Sequence, residues 1–297
     1  MGASSITEKG IRGEFFATLE SSLTDHWVSE LSFPVESNQG SQDNVWISAA
    51  PMMREWLGGR FAGAFWEDSV TIANKKFEGT LEVLADEIRR DKTGQVMLRV
   101  RALASGYPIL WAQLITALVD QGETGIGYAG EPFFYGAHAR GRTGAEADPQ
   151  SNLLTYNVAT PTAPTGPELR EAIAAGVAAI MGFRDYEGEL VSEDARHFTL
   201  LMPTAFVKAA ADALPFGGGY TVRCVPNPWL SWSDRIAVFR ADGSAKAFIR
   251  QTEHVSFESV AKGSELEFNE EKHRYGASAS CNAGYGLWEH AALINLI

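Results

Sequence analysis

The feature that most limits how this 297-residue chain can fold is a long helical period in its first half. Val96, Val100, Leu103, Tyr107, Leu110, Leu114 and Leu118 recur at steps of four, three, four, three, four and four. That spacing puts one apolar stripe along a helix from Gln95 to Asp120 and asks the rest of the chain to bury it. Pro108 falls inside the pattern, and its ring, which removes an amide donor and clashes with the preceding turn, predicts a kink or a division there.

Ahead of this helix the pattern is different. Residues 71–91 read TIANKKFEGTLEVLADEIRRD. Val70 and Ile72 share one strand face, whereas Phe77, Leu81 and Val83 continue on the other, so a bulge or turn is expected at Asn74, Lys75 and Lys76. From Val45 to Val83, aromatic residues are separated by Gly58, Gly59, Gly63 and Gly79, a composition suited to a long hairpin or loop. Residues 1–45 carry Phe15, Phe16, Leu19, Leu23 and Trp27 at helical spacing, then turn polar, as an arm does.

Beyond the helix, TGPELREAIAAGVAAIMG opens with a capping box, Thr165 to Glu168, and Pro167 in the first turn. Leu169, Ile173, Val177, Ile180 and Met181 form its apolar face. A strand over Phe198–Met202 leads to a short helix over Thr204–Leu214, stopped by PFGGG. TVRCV, RIAVFR, AKAFIRQT and the final GYGLWEHAALINLI read as strands. Strands and helices are segregated rather than alternating, which predicts an α+β fold.

Composition and motifs exclude several functions. The formal charge is −12, spread along the chain with no Lys/Arg cluster to grip nucleic-acid phosphates. Cys224 and Cys281 lie outside any CxxC spacing, and six scattered histidines show neither HxxxH nor HxH. No apolar run approaches the 18 residues of a membrane span, and the N-terminus lacks a signal-peptide pattern. GIGYAG at 125–130 fits the dinucleotide fingerprint in letters, but a helix precedes it and Pro132 follows, so it reads as a linker. SVAK at 259–262 lacks the companion motifs of a serine nucleophile. The one enzymatic alternative is a carboxylate-dependent metal hydrolase built on Glu78, Glu82 and Asp86. On a strand, however, Glu78 and Glu82 stand roughly 13 Å apart, too far to share an ion. No cofactor is expected.

Four segments, APMMREWLGGRF, TIANKKFEGTLEVLADEIRRDKTG, EPFFYGAHARG and YGASASCNAGYGLWEHAALIN, stand in an order and spacing that resemble the major head subunit of Mu-like phages, the gpT family. The resemblance covers most of the chain from about residue 45. It implies the Hong Kong 97 phage capsid fold, with an N-terminal arm at 1–45, an extended E-loop at 46–84 and a P domain at 85–164 that includes a spine helix at 95–121. Residues 165–283 would form mainly the A domain, and 284–297 a strand returning toward the P domain. The implied function is a shell of pentamers and hexamers of this chain enclosing double-stranded DNA, with a portal, decoration proteins and a scaffolding protein as partners. Because the chain opens at Met1 with the arm, scaffolding is expected from a separate protein. An encapsulin-like compartment for protein cargo is the alternative of related architecture. Arg54, Glu55, Trp56, Gly58, Gly59, Arg60, Lys75, Lys76, Phe77 and Glu78 are the expected E-loop contact residues. An acidic inner surface would let packaged DNA slide without adhering.

Overall fold

The computed structural model describes residues 8–38, 41–47, 67–90, 94–138, 149–185, 188–214 and 219–297. In chain order the elements are α1 (Glu8–Thr24), α2 (Trp27–Leu31), β1 (Ser32–Glu36), β2 (Ser41–Ile47), β3 (Glu67–Ala73), β4 (Lys75–Leu84), α3 (Ala85–Arg90), α4 (Gln95–Asp120) and β5 (Leu153–Tyr156). They continue as α5 (Gly166–Gly182), β6 (His197–Met202), α6 (Val207–Ala213), β7 (Thr221–Pro226), β8 (Arg235–Arg240), β9 (Phe248–Val260), α7 (Glu265–Glu270), β10 (Lys272–Tyr285) and β11 (Ala291–Leu296).

Two sheets carry the body. The first has the order β1-β9-β10-β4, with β10 antiparallel to both neighbours and β1 parallel to β9. The expected slip falls at Asn74, the single residue between β3 and β4. Beyond it the odd positions Phe77, Gly79, Leu81 and Val83 face inward and the even ones face solvent, the alternation that one covered face imposes. α1 and α4 cover that inner face. Phe15 stacks on Phe257 at 4.6 Å, and Ile11, Val83, Val96, Val100, Ala104 and Tyr275 complete a small core. Gly79 permits the approach of α4, since a Cβ there would stand 2.9 Å from Leu103 Cδ1.

The second sheet has the order β5-β11-β8-β6-β7 and packs on α5 and the second half of α4. The capping box of α5 forms as expected: the Thr165 hydroxyl accepts from the Glu168 amide, while the Thr165 amide donates to the Glu168 carboxylate. Gly176 brings α5 down onto this sheet, because a Cβ there would meet Ile294 and Val238.

α4 joins the two bodies. At 26 residues it is roughly 39 Å long at 1.5 Å per residue, and Val96, Val100 and Ala104 lie in the small core while Trp111, Ala112, Ile115 and Val119 lie in the large one. Its length and composition would suit a bilayer span, but here its buried line faces protein.

The structure corrects several expectations. The chain stays helical through Pro108, which is itself buried, so packing on two cores offsets the roughly 3 kcal/mol that an interior proline costs. The most buried line along α4 runs through Ala104, Pro108, Ala112 and Thr116 with Trp111, Ile115 and Val119; Leu103, Tyr107, Leu110, Leu114 and Leu118 flank it half-buried. The stripe is displaced because weakly apolar Ala and Thr occupy the positions of closest approach. Strand pairing brings segments far apart in the chain together. β9 and β10, within 248–285, lie beside β4 and β1, while β11 joins β5, β8, β6 and β7. Finally, GIGYAG is no loose linker: the Gly125 carbonyl accepts from the Phe133 amide, and a Cβ on Gly125 would strike the Tyr285 ring.

Candidate assembly surface

The hairpin of β2 and β3 is built from the body outward. Its register runs from Ser41 opposite Ala73 to Ile47 opposite Glu67, and among the described strands these two pair only with each other. Arg54, Glu55, Trp56, Gly58, Gly59 and Arg60 lie outside the described residues, in the segment that this hairpin encloses.

The remaining expected contact residues sit at the start of β4. Lys75, Lys76 and Glu78 are exposed, opposite Cys281, Ser280 and Ser278 of β10. Phe77 is on the inner face and packs on the core of its own subunit, lining a cleft of about 240 Å³ with Leu103, Tyr107 and Leu110.

The residues that fix the hairpin were not recognised in the sequence. Gln251 of β9, fully buried, donates from Nε2 to the Ile72 carbonyl at 2.9 Å and to Asn74 Oδ1 at 2.8 Å. Its cross-strand partner Asn282 of β10 donates to the Ala73 carbonyl at 2.7 Å. Together they clamp three consecutive residues where β3 ends and β4 begins. Gly284 leaves room for Ile72, since a Cβ there would lie 2.4 Å from Ile72 Cδ1. The only sequence signal was one amide, Gln251, within AKAFIRQT, a stretch that reads as a strand.

The three carboxylates of the hydrolase alternative do not converge. Glu82 accepts from Lys272 at 2.9 Å and Arg274 at 2.8 Å, and these hydrogen bonds hold its carboxyl below the usual range. Glu78 points to solvent four residues away on the same strand. Asp86 opens α3, where its charge complements the helix dipole, and pairs with Arg90 at 3.0 Å. Among the described residues no cluster of His, Cys, Asp or Glu could hold a metal. The outer face of the first sheet is thus a polar surface of exposed ion pairs, each worth little alone and suited to setting register between surfaces.

The profile of the family described as Mu-like prophage major head subunit gpT matches residues 5–162. The major capsid protein of Escherichia phage Mu is 27% identical over 127 residues, which is 43% of this chain and 41% of that protein, so the match spans less than half the length of the curated relative. Among solved structures, the procapsid of bacteriophage JBD30 superposes with a TM-score of 0.55 at 19% identity, covering 98% of this chain and 76% of that one. The holo-SrpI encapsulin complex from Synechococcus elongatus PCC 7942 gives 0.50 at 10% identity, covering 99% and 91%. At such identities the likeness is one of fold, the Hong Kong 97 capsid fold expected from the sequence.

Proposed function

The chain belongs to the Mu-like prophage major head subunit gpT family, and from that premise we propose that it is the major capsid protein of a tailed double-stranded DNA phage. Copies assemble as pentamers and hexamers into an icosahedral shell around the genome, within the bacterial cytoplasm. The observation that carries this reading is the family match over residues 5–162, which takes in the arm, the hairpin strands and α4. The physics of the hairpin supports it. A two-stranded ribbon is marginal in water, so β2 and β3 need a neighbouring subunit to rest on.

In this reading the first sheet with α4 is the P domain, the second sheet with α5 and α6 the A domain, and the hairpin the E-loop. Arg54, Glu55, Trp56, Gly58, Gly59 and Arg60 form its contacts, with Lys75, Lys76, Phe77 and Glu78 at its root. The role is structural rather than catalytic, and a separate scaffolding protein, a portal and decoration proteins are the further partners. An encapsulin-like compartment shares the fold, so the family match, rather than the architecture, favours the phage head.

Electron microscopy of the chain expressed with and without its scaffolding partner tests the proposal. Closed shells, filled with DNA in infected cells, are expected; soluble monomers under both conditions, or shells filled with protein cargo, would overturn it. Trp56→Ala should lower shell yield, and shells of normal yield and stability would remove Trp56 from the contact set.

A further inference from the structure

The least covered large apolar side chain among the described residues is Phe268, which is 89% exposed on α7. α7 is short but firmly held. The Ser264 hydroxyl accepts from the Glu267 amide at 3.3 Å, and the Glu267 carboxylate accepts from the Gly263 amide at 2.7 Å and from Arg89 at 3.4 Å. Glu271 closes the helix at a φ of 53°, a left-handed conformation that costs a non-glycine residue free energy, and its carbonyl accepts from the Ala85 amide at 2.7 Å. An aromatic ring offered to water on a fixed support marks a contact surface.

The same end of the first sheet leaves other apolar side chains open. Leu84 and Val260, the last residues of β4 and β9, are exposed, as is Leu98 near the start of α4. Between β4, α3 and α4 lies an open cleft of about 420 Å³, lined by Leu84, Val96, Asp86, Glu87, Arg90 and Arg99. Phe268 does not line the cleft of its own chain. We propose that Phe268 of one copy seats in this cleft of a second copy. The inference rests on the shell reading above.

Charge complementarity selects a second copy. Beside the ring, Glu265 and Glu271 are exposed, and neither forms an ion pair among the described residues. Across the cleft the sign reverses. Arg90 and Arg99 each meet a single carboxylate of the described residues, at 3.0 and 3.1 Å, and each is about half exposed or more, which leaves guanidinium donors for another acid. Ring, acids, cleft and arginines lie at one end of one chain, so every copy offers one half of the contact and receives the other. A foreign segment would match only one half. A head-to-tail contact of this kind closes into a ring about a rotation axis, as the packing of copies in a shell requires.

The test uses the full chain. Phe268→Ser should leave the melting temperature of the unassembled chain within about 2 °C of the parent's, because an exposed ring contributes little there. It should lower shell yield by roughly tenfold or more, as the loss of a central aromatic contact does. Leu84→Cys and Phe268→Cys chains, assembled together and oxidised, should give a covalent dimer that neither variant nor the parent gives alone. The proposal is overturned if Phe268→Ser melts well below the parent, which indicates a role inside the subunit, or if the mixed chains give no dimer. A dimer from Phe268→Cys alone would also overturn it, since the rings would then meet each other, as would a shell map placing Phe268 against a scaffolding segment. If the parent chain makes no shells, the capsid reading fails; if parent and Phe268→Ser assemble alike, only the Phe268 proposal does.

Discussion

Glu289 offers a direct measure of what burial does to a charge in this fold. It lies with Trp288 and His290 in the turn between β10 and β11 and is 6% exposed. One carboxyl oxygen accepts from the Tyr128 hydroxyl at 2.6 Å, and the other has no partner among the described residues. Burial pushes the carboxyl up from 4.5 to about 7. Because the value is raised, the favourable contribution of the protonated acid is complete below pH 4.5 and is lost as pH rises through 7. The gap corresponds to roughly 3 kcal/mol, or about 5 °C in the melting temperature of a chain this long. Burial lowers His138 and His290 to about 4, with the opposite sign: what they contribute is present above 6.5 and lost toward 4. The parent's pH profile therefore mixes both trends, and the difference from Glu289→Gln isolates the acid. Thermal melts of the unassembled chain between pH 4.5 and 8 should show the variant matching the parent at pH 4.5 and melting about 5 °C higher at pH 8. A difference that stays constant across this range would refute the argument.

Two further substitutions probe the frame around the hairpin. Gln251→Leu strands the Ile72 carbonyl and should cost about 1–3 kcal/mol; hydrogen exchange should quicken across β3 while β6 and β8 keep their protection, and unchanged exchange at 67–73 would show that the clamp is not needed. Gly286→Ala should destabilise more than Gly284→Ala in urea titrations, by about 1–3 kcal/mol. The added Cβ at 286 meets the Lys246 carbonyl oxygen at 2.5 Å, which is backbone, whereas at 284 it meets the end of Ile72, which can rotate; the reverse order would refute this.

Local features were legible in the sequence because their causes are local. The helix from Gln95 to Asp120, the capping box at Thr165, the break near Asn74 and the inward turn of the odd residues after it follow from period, side-chain chemistry and alternation. Whether an amide or a charge lies inside is not a local property. Gln251 and Asn282 look like ordinary polar strand residues until β9 and β10 come to lie beside the root of the hairpin. Arg250 and Glu289 look like surface charges until Trp111 and Tyr128 close over them.

By itself, the sequence determined the elements, the helix-led α+β architecture and the family, since propensity, periodicity and the order of motifs are carried by neighbouring residues. Only the tertiary structure decided which strands pair, which line of α4 is deepest, how the hairpin is held and which charges are buried. Those outcomes depend on surfaces far apart in the chain meeting in space, where the free energy of burying a group is set by what covers it rather than by what it is bonded to.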